Sequence, residues 1–201
     1  MYNLSERLNQ ILPKLTNKDF LKGKGISKEI AFYIFDYPPE SEFEVRKHVD
    51  LLVDQIPKQR SGVRVAHVNL FSLIVDTLKE KNYLEKSFEM QKNKGNDALL
   101  RALKGTLNEE KIAKKIVEIA KPDEVDLILI SGVGSSYPLL RSHTLLNNLH
   151  SLTGNATVIM FYPGKFDKIT LKLFGKTGLL GDVKDEIKKT VNYYRAFKLV
   201  D

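Results

Sequence analysis

The chain has 201 residues, 42% of them hydrophobic, no cysteine, and a formal charge of +7 from 32 Lys and Arg against 25 Asp and Glu. That length buries a core without covalent staples, and the missing cysteine excludes a disulfide framework, a thiolate metal site and a cysteine nucleophile. The basic excess attracts nucleic acid or an acidic partner without choosing between them.

Leu4, Leu8, Ile11 and Leu12 recur at helical spacing and predict a first amphipathic helix, which Pro13 discourages from continuing. The connector Lys22–Lys28 combines glycine and lysine and reads as a solvated turn. Ile30–Phe35 is continuous, aromatic and β-branched, as a strand buried on both faces is, and Pro38 and Pro39 stop it. Glu40–Ile56 follows a helical pattern closed by Pro57. Val63–Val68 predicts a second strand, passing through Asn69 into a helix around Phe71, Ile74, Val75 and Leu78. From Lys79 to Lys121 no strand is legible. Helices are predicted over Asn82–Met90, over Ala98–Leu103 and from an N-cap at Asn108 to Ala120, with breaks at Gly95 and Gly105. Asp126–Ser131 predicts a buried strand, Gly132–Pro138 a tight loop and Leu139–Leu152 a helix. Ala156–Tyr162 is the next strand, stopped by Pro163 and Gly164. A helix over Val183–Val191 and a terminal strand over Tyr193–Val200 complete the order.

This alternation predicts an α/β fold, one domain over residues 1–201 with a mostly parallel sheet of about five strands and helices on both faces. Residues 79–121 would form a helical insert or a cap in the middle. The longest apolar runs, Leu127–Ile130 and Ala156–Tyr162, fall far short of the ~20 residues that span a bilayer. The charged start, Met1–Leu8, lacks the apolar segment of an export signal. The chain is therefore expected to be cytoplasmic, without membrane contact.

The segment Gly132-Val-Gly-Ser-Ser-Tyr-Pro138 stands between strand and helix, where backbone N–H groups can face a phosphate. It departs from both phosphate-loop patterns. No lysine follows the glycines, and Tyr137 occupies the third glycine position of a dinucleotide fingerprint. A tight turn explains Gly132 and Gly134 equally well. Ser135 and Ser136 lack the Gly-x-Ser-x-Gly elbow of a hydrolase. Arg141 and His143, placed early in the following helix, offer contacts to an anion or a partner carboxylate, or a plain surface ion pair. His67 falls in a strand and reads as a hydrogen-bonded core residue. Asp36 stands at the carboxyl end of the first strand, the edge where open α/β sheets collect ligands. Lysines cluster near the start (Lys14, Lys18, Lys22, Lys24, Lys28) and near the end (Lys165, Lys168, Lys172, Lys176), the latter with Tyr162 and Phe166 beside them for stacking. They suit phosphate contact or simple solvation. No metal site and no cofactor are expected.

The blocks Ser131–Leu149, Val158–Gly164, Leu171–Gly175 and Asn192–Val200, together with Asp36-Tyr-Pro-Pro39, resemble the BrxB family of bacteriophage-exclusion (BREX) systems. The resemblance covers most of the chain and is weakest over Lys79–Lys121. It implies an accessory component of anti-phage defence that assembles with other BREX proteins, notably the alkaline-phosphatase-like PglZ component and the large ATPase BrxC. It brings no catalytic motif. Gly132, Gly134, Tyr137, Arg141, His143 and Arg195 would then shape an interaction surface, and the chain is expected not to be an enzyme. Two alternatives remain open from the residues: a nucleotide- or phosphate-binding protein using Gly132–Ser136, Arg141 and Asp36, and a DNA-binding subunit using the lysines.

Overall fold

The computed structural model describes residues 3–21, 32–168, 170–175 and 196–201. Within them a sheet is laid out in the order β2-β3-β4-β1-β6. Its strands are β1 (Phe32–Tyr37), β2 (Val65–Asn69), β3 (Leu127–Ser131), β4 (Thr157–Phe166) and β6 (Ala196–Lys198), all parallel. A short β5 (Leu171–Leu173) pairs antiparallel with the end of β4, Lys165 facing Lys172. The expected α/β class and mostly parallel sheet are what the structure contains.

The strand order dictates where the helices go. From β1 the chain travels past two strands to β2 at the far edge, then steps back through β3 to β4. Right-handed crossovers that travel in opposite directions must lie on opposite faces. Accordingly α3 (Glu42–Gln59) covers one face. Its Val45, Val49, Leu52 and Ile56 join Leu8, Ile11 and Leu15 of α1 (Leu4–Leu15) against Phe35, Leu127, Leu129, Ile159 and Phe161. The other face takes α4 (Leu70–Glu80), α6 (Glu109–Ala120) and α8 (Ser142–His150), packed on Ile34, Ile128, Ile130, Val158 and Met160. Successive residues of β3 thus feed two cores, which explains why all five are buried and why the run reads as unbroken hydrophobic sequence. Each fully buried aliphatic or Phe side chain contributes about 1.5–3 kcal/mol.

Several boundaries differ from those read in the sequence. Proline ends neither of the first two long helices: Pro13 lies within α1 and Pro57 within the last turns of α3. At the carboxyl end of α1, Thr16 donates both its N–H and its hydroxyl to the Leu12 carbonyl, at 3.0 and 2.9 Å. β1 starts at Phe32 and runs through Asp36 to Tyr37; Ile30 and Ala31 lie outside the described residues. Pro163 and Gly164 do not stop β4, which runs on to Phe166. The β3 ladder has already ended at Met160, and the Pro163 carbonyl takes the Phe174 N–H at 2.9 Å, so the absent proline donor falls where no strand needs it. The helix expected from Leu139 begins only at Ser142, which leaves Arg141 in extended backbone just ahead of it. Gly132–Pro138 contains one short turn of helix, α7 (Val133–Ser136). The predicted helix over Val183–Val191 and the first residues of the terminal strand lie outside the described residues.

Residues 79–121 lie within the β2–β3 crossover. The first two middle helices, joined here under the label α5 (Leu84–Leu103), are separated as expected by a break at Gly95, whose φ of 79° is open to glycine. α6 starts at the anticipated cap, Asn108, whose Oδ1 accepts the Lys111 N–H at 3.1 Å, and buries Ile112, Ala113, Ile116 and Ala120 in the core below α4 and α8. Among the described residues no helix is long and apolar enough to cross a membrane.

Asn69 ends β2 and caps α4, its Oδ1 accepting the N–H groups of Phe71 and Ser72 at 3.1 Å each. Replacing it, Asn69→Ala, is expected to cost about 1 kcal/mol. The shift would appear in the urea midpoint at unchanged m-value.

Candidate functional site

Following β1 the chain leaves towards α3, and following β3 it leaves towards the opposite face. The carboxyl ends of β1 and β3, which flank β4, are therefore where these crossovers diverge, the usual ligand crevice of an open parallel sheet. The sequence-nominated residues fall into two groups along this edge.

The first group surrounds the loop after β3. Gly132 adopts φ 71° and a Cβ there would stand 2.4 Å from Asn69 Oδ1, the oxygen that caps α4. A Cβ on Gly134 would stand 2.9 Å from Pro163 Cγ and 3.2 Å from the Phe174 ring. Close approach by neighbouring side chains thus accounts for both glycines. Ser136 is buried and donates its hydroxyl to the Val133 carbonyl at 2.8 Å; Ser135 is exposed. Tyr137 meets Phe174 edge-on, ring centroids 6.1 Å apart. Arg141 is exposed and its backbone N–H is held by the Glu109 carboxylate at 3.2 Å. His143 is half-buried as the second residue of α8. Exposed Phe71 stands beside this loop at the start of α4, and Phe43, 75% exposed, at the start of α3 on the same edge.

The second group lies across β4, at the ends of β1, β4 and β6. Here a cleft of about 550 Å³ is lined by Arg7, Asp36, Lys165, Phe166, Asp167, Lys172, Lys198 and Asp201. Asp36 is its organising group. Its Oδ1 accepts from Arg7 Nη2 at 2.8 Å, its Oδ2 accepts the Phe166 N–H at 3.0 Å, and Lys198 Nζ stands 3.6 Å from Oδ2. Arg7 also donates to the carbonyls of Asp36 (2.8 Å) and Val200 (3.2 Å), while its guanidinium lies over the Phe35 ring at 4.8 Å. Both side chains are nearly enclosed, 14% and 10% exposed. Next to Asp36, burial pushes the Tyr37 phenol far above its ordinary range, helped by its 2.6 Å hydrogen bond to Glu42 and that carboxylate's charge.

The structure therefore brings Asp36, Lys165 and Lys172 together, but keeps them apart from the glycine loop. Lys168 is exposed at a positive φ of 74° beyond β4, and Lys22, Lys24 and Arg195 lie outside the described residues. Sequence reasoning missed Arg7 and Lys198. Arg7 sits on the flank of the Leu4–Leu8–Ile11 stripe, the one hint of a half-buried role, but nothing in the sequence links it to a carboxylate 29 residues away. His67 is hydrogen-bonded as expected, its Nε2 joined to Ser131 Oγ at 2.7 Å, but it is half-buried on the edge strand β2 and not a core residue. Among the described residues no cluster of His, Asp and Glu could hold a metal ion.

Fold and site together define a parallel α/β protein whose carboxyl edge is braced by a nearly enclosed ion pair. A family model described as "BREX protein BrxB" matches residues 66–199, taking in the four blocks quoted above to within one residue. A BREX protein BrxB of Bacillus cereus (strain H3081.97) is 38% identical over the full length of both chains. Another, of Escherichia coli O9:H4 (strain HS), is 34% identical over 98% of this chain and 92% of its own. No solved structure matches the chain. The chain belongs to the BrxB family.

Removing the carboxylate charge, Asp36→Asn, leaves the nearly enclosed Arg7 guanidinium without its bonded counter-charge. A loss of about 3 kcal/mol is expected in chemical denaturation, as for other broken buried pairs. A second outcome concerns pH. Burial lowers the pKa of His67 and of His48 from 6.5. The unfolded chain then takes up protons first, so stability is intact above pH 6.5 and falls as pH drops towards the folded values. His67→Gln is expected to flatten that acid-side slope, read as the dependence of the urea midpoint on pH below 6.5.

Proposed function

We propose that this BREX component is a non-enzymatic assembly factor, acting through protein–protein contact with other BREX proteins, PglZ first and BrxC second. Membership of the BrxB family supplies the system. The observation that carries the docking role is that the groups best placed for chemistry are engaged within the fold. Asp36 accepts from Arg7 and from the Phe166 backbone, and Ser136 is buried with its hydroxyl turned onto the Val133 carbonyl. A general base or nucleophile needs to reach its substrate, and both of these side chains are buried. The same edge exposes Phe43, Phe71 and Arg141, aromatic and Arg side chains of the kind that anchor interfaces.

Co-purification tests the reading. The tagged chain is expected to retain PglZ at micromolar concentration or below, and Phe71→Ala or Arg141→Ala to weaken that retention by about tenfold without unfolding the protein. Failure to retain any BREX component, with both proteins folded, overturns the proposal. So would turnover by the purified chain that is lost on replacing Asp36.

A further inference from the structure

We propose that the cleft at the carboxyl ends of β1, β4 and β6 binds a small phosphate-bearing ligand through the ammonium groups of Lys165, Lys172 and Lys198. Three observations meet there. First, the cleft lies at the carboxyl edge of the parallel sheet and, at about 550 Å³, has the size of a small-molecule site and not of a groove for duplex nucleic acid.

Second, its charges are unevenly spent. Asp36 is occupied by Arg7 and the Phe166 N–H, and Arg7 by Asp36 and Val200. Asp167 already accepts from the Thr170 N–H and hydroxyl at 2.6 and 2.7 Å. The lysines are held more loosely. Lys198 stands 3.6 Å from Asp36, Lys172 stands 3.5 Å from Asp167, and Lys165 is exposed with no carboxylate within salt-bridge distance among the described residues. Each ammonium carries three donors, so most of the donor capacity facing the cleft is unspent.

Third, Lys165 and Lys172 are directly opposite each other in the antiparallel β4–β5 pair. Such partners have Cβ atoms about 5 Å apart, and like charges there destabilise the pair. The opposition is enforced by Gly164, where a Cβ would stand 2.2 Å from the Lys172 carbonyl oxygen, so this glycine lets the two chains close. An anion between the two ammonium groups converts that repulsion into attraction. A phosphate group, with several acceptor oxygens and more than one negative charge, matches three lysines lining one cleft better than a single carboxylate does. The glycine loop nominated from the sequence is packed by Asn69, Pro163 and Phe174, which moves the anion site across β4 to these lysines.

Calorimetry at low ionic strength with pyrophosphate and with ATP tests this on the full chain. Binding to one site is expected, weakened by about tenfold or more in Lys165→Ala and in Lys172→Ala and unchanged in Lys114→Ala, which removes an unrelated surface lysine. Tighter binding of ATP than of pyrophosphate assigns a nucleotide; equal binding assigns the phosphate groups alone. Absence of heat with both probes overturns the proposal, as does an equal loss in Lys114→Ala, which reports only the general attraction of a +7 chain. Binding confined to a DNA oligonucleotide overturns it as well. The ligand-free Lys165→Gln variant is expected to melt no lower than the parent, since it relieves the opposed charges without removing an ion pair; a lower Tm removes the premise of repulsion.

Discussion

A single guanidinium holds together parts of the chain that are farthest apart in sequence. Arg7 reaches from the first helix to the carboxylate and carbonyl of Asp36 on the central strand, and to the Val200 carbonyl just beyond β6. The other carboxylate oxygen pins the Phe166 N–H at the end of β4. Four elements that share few residues with one another are thus tied at one point. The low local dielectric makes that point strong when complete and costly when broken. The hydrophobic layers explain why a sheet forms. The ion pair explains why its carboxyl edge has one shape.

How far the fold was legible follows from which elements report only on themselves. β3 and β1 carry continuous apolar runs because they are covered on both faces, and Asn69 and Asn108 announce helix starts by side-chain chemistry that is local. Proline misled where the surroundings removed its usual penalty. Pro163 lies past the end of the β3 ladder; Pro13 and Pro57 fall in the final turns of their helices, which end two residues beyond them, so there proline displaced only the boundary. β5, three residues of Leu-Lys-Leu, has no pattern of its own and exists because β4 overruns its neighbours. The candidate site was half legible. Asp36 was found from its place at a strand end, but its partner Arg7 is visible only once the chain is folded.

The glycines after β3 illustrate how one sequence signal serves two physical causes. A glycine loop between strand and helix lets a phosphate approach, and it equally lets another part of the protein approach. At Gly132 the approaching atom is the Asn69 cap, and at Gly134 it is Pro163 with Phe174 behind it. Both causes forbid a side chain, so both leave the same residues in the sequence. What separates them is the identity of the neighbour, which belongs to tertiary packing and lies outside any local window.

β4 is ten residues long, against five in β3 and six in β1. Its overhang divides the carboxyl edge into two stretches of different chemistry. On the β3 side, Pro163 and Phe174 fill the space against the glycine turn, and what remains outside is a closed surface with an exposed aromatic and an exposed arginine. On the β1 side, the β4–β5 pair stands opposite Arg7 and Lys198 and leaves a cleft walled by lysines. A closed surface can recognise only another surface, whereas a charged recess can take a small anion. Both stretches hang from the same strand, whose last residue Asp36 fixes through the Phe166 N–H while Arg7 holds the other carboxylate oxygen.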